Sequence, residues 1–136
     1  LNLGIAKLGD RFTTTFSVRS SVNAEKEGLI TKLKEIADFY NGTYSQSGTY
    51  PAWEFRKDSR LRDVMVPIYT RMFGKEPKVL AIHAGLECGL LGDKLPGLDC
   101  VSIGPQMHDI HTSREKLEIA STKRTWDFLL EVLKAL

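Results

Sequence analysis

Two short apolar runs set the frame for this chain. Lys78-Val79-Leu80-Ala81-Ile82-His83 and Leu98-Asp99-Cys100-Val101-Ser102-Ile103-Gly104-Pro105 are compact runs of the kind found in buried strands. A Gly-rich stretch from Gly85 to Gly97 lies between them and is expected to include a short helix. A polar loop, Gln106 to Glu115, then precedes a helix capped by Ser121, with Trp126, Phe128, Leu129, Val132 and Leu133 on its apolar side. Strand, helix, strand, loop and helix read as the end of an α/β sheet.

The first third of the chain has a different texture. Leu3 to Leu8 and Arg11 to Val22 read as two strands around a Gly9-Asp10 turn. Alternation in the second puts Phe12, Thr14, Phe16, Val18 and Ser20 on one face and leaves Arg19 on the open one. Asn23 is placed to cap a helix from Ala24 to about Tyr40, whose Leu29, Ile30, Leu33, Ile36, Ala37 and Tyr40 form an amphipathic stripe. Asn41-Gly42 ends it, and a short strand through Tyr44 is expected next. This part reads as an α+β layer with one sheet face covered. Ser, Gly, Gln and Pro between Ser45 and Pro51 mark a boundary. Beyond it, Ser59 caps a second helix through Met72, which Gly74 closes and which Pro67 is expected to kink or shorten.

Composition narrows the function classes. At 136 residues, 42% hydrophobic and 26% charged, the chain suits one ordinary globular core. The surplus of 19 basic over 17 acidic residues is only +2 and is scattered, so neither nucleic acid nor an anionic membrane is an expected partner. No apolar run approaches the roughly 18–20 residues that span a bilayer. Cys88 and Cys100 are too few for a disulfide framework and read as reduced core thiols. With no visible secretory signal, the expected location is the cytoplasm. The chain opens on Leu1, inside a strand pattern, and is expected to be a piece of something longer.

Polar groups gather at the ends of the two buried runs, where ligands bind in open α/β sheets. His83 and Glu87 follow the first run; His108, Asp109 and His111 follow the second. His108-Asp109-Ile110-His111 offers imidazole donors of the kind zinc takes; the alternative is a solvated loop that holds two histidines. His83 suits a satisfied structural histidine, and Glu87 suits either a base or ligand or a helix first turn. Arg19 could clamp a carboxylate bidentately, or be one of the exposed arginines common on strands. A metal centre takes about three or four protein ligands, more than this chain convincingly offers.

These residues also resemble a known family. Ala81-Ile82-His83-Ala84-Gly85-Leu86-Glu87-Cys88-Gly89-Leu90 is similar to a distinctive segment of bacterial aminoacyl-histidine dipeptidases. Those enzymes are Xaa-His dipeptidases, carnosinase-like members of the co-catalytic zinc peptidases. Ser102-Ile103-Gly104-Pro105 with His111-Thr112-Ser113-Arg114-Glu115 resembles a second stretch of them. Asn2-Leu3-Gly4, Val18-Arg19-Ser20-Ser21 and Tyr50-Pro51-Ala52-Trp53 resemble further ones. Ser113 and Arg114 depart from the family, which often has Pro and then Asp or Asn there.

The resemblance implies an α/β chain whose residues 1–48 end a lid and dimerisation domain and whose residues 49–136 are the C-terminal segment of the catalytic domain. It implies that His111 is the last zinc ligand, that Arg19 binds the substrate's C-terminal carboxylate and that Gly85 lines the pocket. His108 is given no role. The implied cofactor is a pair of zinc ions, with one ligand supplied here. The remaining ligands and the general-base glutamate would lie upstream, so no catalytic residue is expected in this chain and it should be inactive alone. The implied partners are an Xaa-His dipeptide, the N-terminal part of the same enzyme and a second copy in a homodimer. The rival expectation is a non-catalytic module, derived from the lid, that dimerises through the exposed edge of its Phe12–Val22 strand or binds peptides.

Overall fold

The computed structural model describes residues 1–83 and 87–136. In chain order the elements are β1 (Asn2–Leu8), β2 (Phe12–Ser17), α1 (Asn23–Phe39), α2 (Arg60–Phe73), α3 (Glu87–Lys94), β3 (Met107–His108), β4 (Lys116–Leu117) and α4 (Ile119–Leu133). Helices and small sheets are mixed along the chain, as the expected α/β class requires. They gather into two compact units. One comprises Leu1–Phe55 and Leu80–Leu98, the other Arg56–Val79 and Asp99–Leu136.

In the first unit β1 and β2 form an antiparallel hairpin from Leu8↔Phe12 to Asn2↔Ser17, with an irregularity between Leu3 and Ile5. The strand expected to run to Val22 stops at Ser17. Ser17 pairs with Asn2, the first residue of β1, and no pairing is seen beyond it among the described residues. Arg19 therefore lies past the strand, exposed, and not on its open face.

Helix α1 starts where expected, but not by the expected cap. Val22 occupies the N-cap position without a side-chain bond. The Asn23 side chain is engaged elsewhere: its Oδ1 accepts from Ala52 N at 2.8 Å and from Lys26 Nζ at 3.4 Å. Asn23 N donates to Glu54 Oε1 at 2.8 Å, and Lys26 Nζ donates to the Tyr50 carbonyl at 2.7 Å. Segment 50–54 is thus laced to the first turn of α1. The helix ends as read: Asn41 takes φ 53°, and Gly42 N bonds the Ala37 carbonyl at 2.7 Å. The strand expected through Tyr44 does not form.

The second unit is built on α2 and α4. Ser59 caps α2, accepting from Arg62 N at 3.1 Å, and Gly74 closes it in the left-handed region at φ 70°. Pro67 does not shorten the helix, which runs on to Phe73. Met65 and Ile68 of α2 are buried with Phe128 and Val132 of α4. Tyr69, Phe73 and Phe128 form a ring cluster, Tyr69 standing edge-on to Phe128 at 5.5 Å. Such an arrangement adds to simple burial.

Three expectations here need correction. Ser121 does not cap α4, which begins at Ile119 after Glu118. Ser121 is buried inside the first turn, where Oγ donates to the Glu118 carbonyl at 2.6 Å and accepts from Gln106 N at 2.8 Å. The two apolar runs, 78–83 and 98–105, are not strands among the described residues, and Val79, Leu80, Ile82, Leu98 and Ile103 are exposed. A buried strand needs neighbours on both edges to pair its backbone groups, and no described strand lies alongside either run. Loop 106–115 is more ordered than its polarity suggested, because β3 and β4 pair across it.

Candidate functional site

The histidine cluster sits on a small antiparallel ladder. Met107 pairs with Leu117 and His108 with Lys116, and the chain turns between them. The base of the ladder is tied to α4. Glu118 N donates to the Gln106 carbonyl at 3.0 Å, and Gln106 N reaches the buried Ser121 hydroxyl. His108, Asp109 and His111 are all exposed.

The turn has an unusual backbone. Asp109 (φ 52°) and His111 (φ 65°) both lie in the left-handed region, which residues with a Cβ seldom enter. Bonds within the turn hold it there. The Thr112 hydroxyl donates to the Asp109 carbonyl at 2.7 Å, and Glu115 N donates to the Thr112 carbonyl at 3.2 Å. His111 N donates to Glu115 Oε2 at 2.7 Å, a charge-assisted bond. The sequence reading did not single out Glu115. Its signal was the spacing of an acid four residues past His111, within reach of the turn's free amides.

Arg19 belongs to the other unit. It is exposed, just past β2, with no hydrogen bond or ion pair to the described residues, so its guanidinium fork is available to an anion. Nearby, Ser20 Oγ bonds Glu25 Oε2 at 2.9 Å and accepts from Val22 N at 3.1 Å, which fixes the entry to α1. Gly85 lies outside the described residues. His83 is exposed, and Glu87 is the first residue of α3, in the acidic first-turn position.

Among the described residues no three His, Cys, Asp or Glu side chains converge on a point that could hold a metal ion. Zinc needs a closed set of about three or four donors, so the described residues do not by themselves form a zinc cage. His111 offers one donor of the right chemistry on a constrained turn. Cys88 and Cys100 are free thiols, each half-buried and not in the core that the sequence suggested. No described helix is long and apolar enough to cross a membrane.

In comparison with known proteins the chain is similar to dipeptidases, and what it matches is the C-terminal part of such an enzyme. It is 32% identical over 135 residues to the cytosol non-specific dipeptidase of Escherichia coli (strain K12), a match that covers 98% of this chain and 28% of that protein. The crystal structure of aminoacylhistidine dipeptidase from Vibrio alginolyticus matches with a TM-score of 0.73 at 31% identity, covering 86% of this chain and 24% of that one. The resemblance read from the motifs therefore holds. The chain spans about a quarter of the length of these relatives. No protein-family model matches it.

Proposed function

We propose that this chain is the C-terminal part of a cytoplasmic, zinc-dependent, homodimeric dipeptidase that hydrolyses Xaa-His dipeptides. Residues 1–48 close its lid, and residues 49–136 return to its catalytic domain. The observation that carries the proposal is the exposed His111 on a turn of left-handed backbone, in a chain similar to dipeptidases.

In this reading His111 is one zinc donor, and the other donors and the general base come from the N-terminal part of the same enzyme. Zinc in such a site supplies an activated water and polarises the peptide carbonyl. Arg19 takes the substrate's C-terminal carboxylate, for which a planar fork of donors is suited. Gly85 lines the pocket. The two relatives carry different printed activities, non-specific dipeptidase and aminoacylhistidine dipeptidase, and the motif resemblance favours the second.

The test is release of free histidine from an Xaa-His dipeptide by the folded chain with added zinc. No release is expected, because a single donor cannot assemble the site. Steady zinc-dependent release that vanishes in His111→Ala would overturn the claim that the other ligands lie elsewhere.

A second reading, assembly through the lid portion, is favoured by the hairpin. Leu3, Leu8 and Phe12 are 51%, 86% and 68% exposed, an apolar surface of the kind that marks interaction sites. Light scattering across a concentration series should then show a mass that rises with concentration, and Phe12→Lys should suppress the rise.

A further inference from the structure

We infer that Glu115 is a positioning residue for His111. The inference rests on the proposed role of His111 as a donor and concerns how the chain presents that side chain.

The φ of a residue sets the direction in which its Cα–Cβ bond leaves the backbone. At φ 65° His111 projects its side chain differently from a helical or extended residue. An exposed turn has no packing to enforce such a backbone, so it needs a bond that exists only in that conformation. The His111 amide supplies it by donating to Glu115 Oε2 at 2.7 Å. Glu115 is itself held, since its amide bonds the Thr112 carbonyl at 3.2 Å and the following residue, Lys116, is paired with His108 in the β3–β4 ladder. The ladder leads to buried Ser121 through Gln106. A continuous line of bonds therefore runs from the first turn of α4 to the backbone of His111, with the Glu115 carboxylate as its last link. Thr112 also holds the other left-handed residue, Asp109, through its hydroxyl.

The experiment compares the 136-residue chain with Glu115→Ala and Glu115→Gln by NMR, without metal. Glu115 is exposed, so neither variant disturbs the core. In the unaltered chain the His111 amide should resonate downfield and exchange slowly. Glu115→Ala should speed its exchange by about tenfold, as expected for loss of a bond to a charged group, and should shift the residue-111 Cα and Cβ signals away from left-handed values. Glu115→Gln keeps a side-chain oxygen at the same reach and should restore most of both signals. In a His111→Gly background, Glu115→Ala should lower the melting temperature less than in the unaltered chain, because glycine takes positive φ freely. Unchanged residue-111 signals in Glu115→Ala would overturn the inference, as would equal losses in the Ala and Gln variants. None of these readouts depends on zinc, so a failure of His111 as a metal donor would leave them intact and be seen separately.

Discussion

Ser59 and Asp99 close the N-terminus of α2 together. Ser59 Oγ donates to Asp99 Oδ1 at 2.7 Å while accepting from Arg62 N, and Asp99 Oδ2 accepts from Leu61 N at 2.9 Å. A residue 40 positions away thus completes a helix cap, which joins the segment after α3 to the start of α2. Partial burial on its own would raise the Asp99 carboxyl. The bonds from Leu61 N and Ser59 outweigh it, and with the charges of Arg56 and Arg62 they hold Asp99 below the usual carboxylate range.

A depressed folded value means that Asp99 stabilises the folded chain above its unfolded pKa, about 3.9. That contribution is lost as pH falls from there through the lower folded value. Asp99→Asn keeps an oxygen for Leu61 N and removes the charge, so acid unfolding below about pH 4 should become less steep. Asp99→Ala should cost about 1–2 kcal/mol at pH 7, the range for a lost cap. Urea titrations at pH 7 and pH 3 check both, and identical pH slopes for Asn and the unaltered chain would sink the assignment.

The unit that carries the histidine turn depends on one aromatic side chain. Phe128 is 5% exposed, lies against Met65 and Ile68, and meets Tyr69 and Phe73 ring to ring. Phe128→Ala should cost about 3–5 kcal/mol by cavity formation. Ile119→Ala on the same helix, where the side chain is 85% exposed, should change stability by no more than about 0.5 kcal/mol. Chemical denaturation of the two variants side by side measures the contrast. A comparable loss at Ile119 would mean that this face of α4 is covered in solution.

What the sequence disclosed divides along a physical line. Local signals succeeded: Ser59 and Gly74 at the ends of α2, Asn41-Gly42 after α1 and the Gly9-Asp10 hairpin all act within a few residues of themselves. Asn23 and Ser121 show where local reading fails. Each is a good capping residue beside a helix start, yet each side chain serves a partner far along the chain, Ala52 in one case and Gln106 in the other. The runs 78–83 and 98–105 carry the composition of buried strands, but a strand exists only when another pairs with it. For the candidate site, residue types left His108, His111 and Arg19 open and the family resemblance singled out His111 and Arg19, whereas the left-handed turn and its Glu115 bond are tertiary facts that no periodicity encodes.

Asn23 provides a direct check on the lacing of segment 50–54. Its Oδ1 is the acceptor for Ala52 N, and it also faces Lys26 Nζ, whose side chain is largely buried. Asn23→Ala leaves the Ala52 amide without a partner, which should cost about 1–3 kcal/mol. Hydrogen exchange should show the Ala52 amide opening well before the backbone of α1. Asn23→Ser, a better helix cap in isolation, should not recover the loss, because the shorter side chain cannot span to Ala52. Full recovery by Ser would mean that Asn23 acts as an ordinary cap after all.

The same lacing determines what α3 can tolerate. Gly89 is buried, and a Cβ added there would stand 3.1 Å from the Pro51 carbonyl oxygen and 3.5 Å from Trp53 N and Cβ. Relief would require segment 51–53 to retreat, but Tyr50 is held by Lys26 and Ala52 by Asn23. A Cβ at Gly92, in the same helix, meets nothing within 4 Å. Gly→Ala inside a helix gains about 0.5–1 kcal/mol where there is room, and Gly92→Ala should show that gain as a higher urea midpoint. Gly89→Ala has the same propensity gain and should still lower the midpoint, because the contact falls on backbone that cannot yield. Combining Gly89→Ala with Asn23→Ala tests the cause. With Ala52 released, the two losses should sum to less than their separate values, whereas strict additivity would show that the Asn23 bond does not hold the segment against α3.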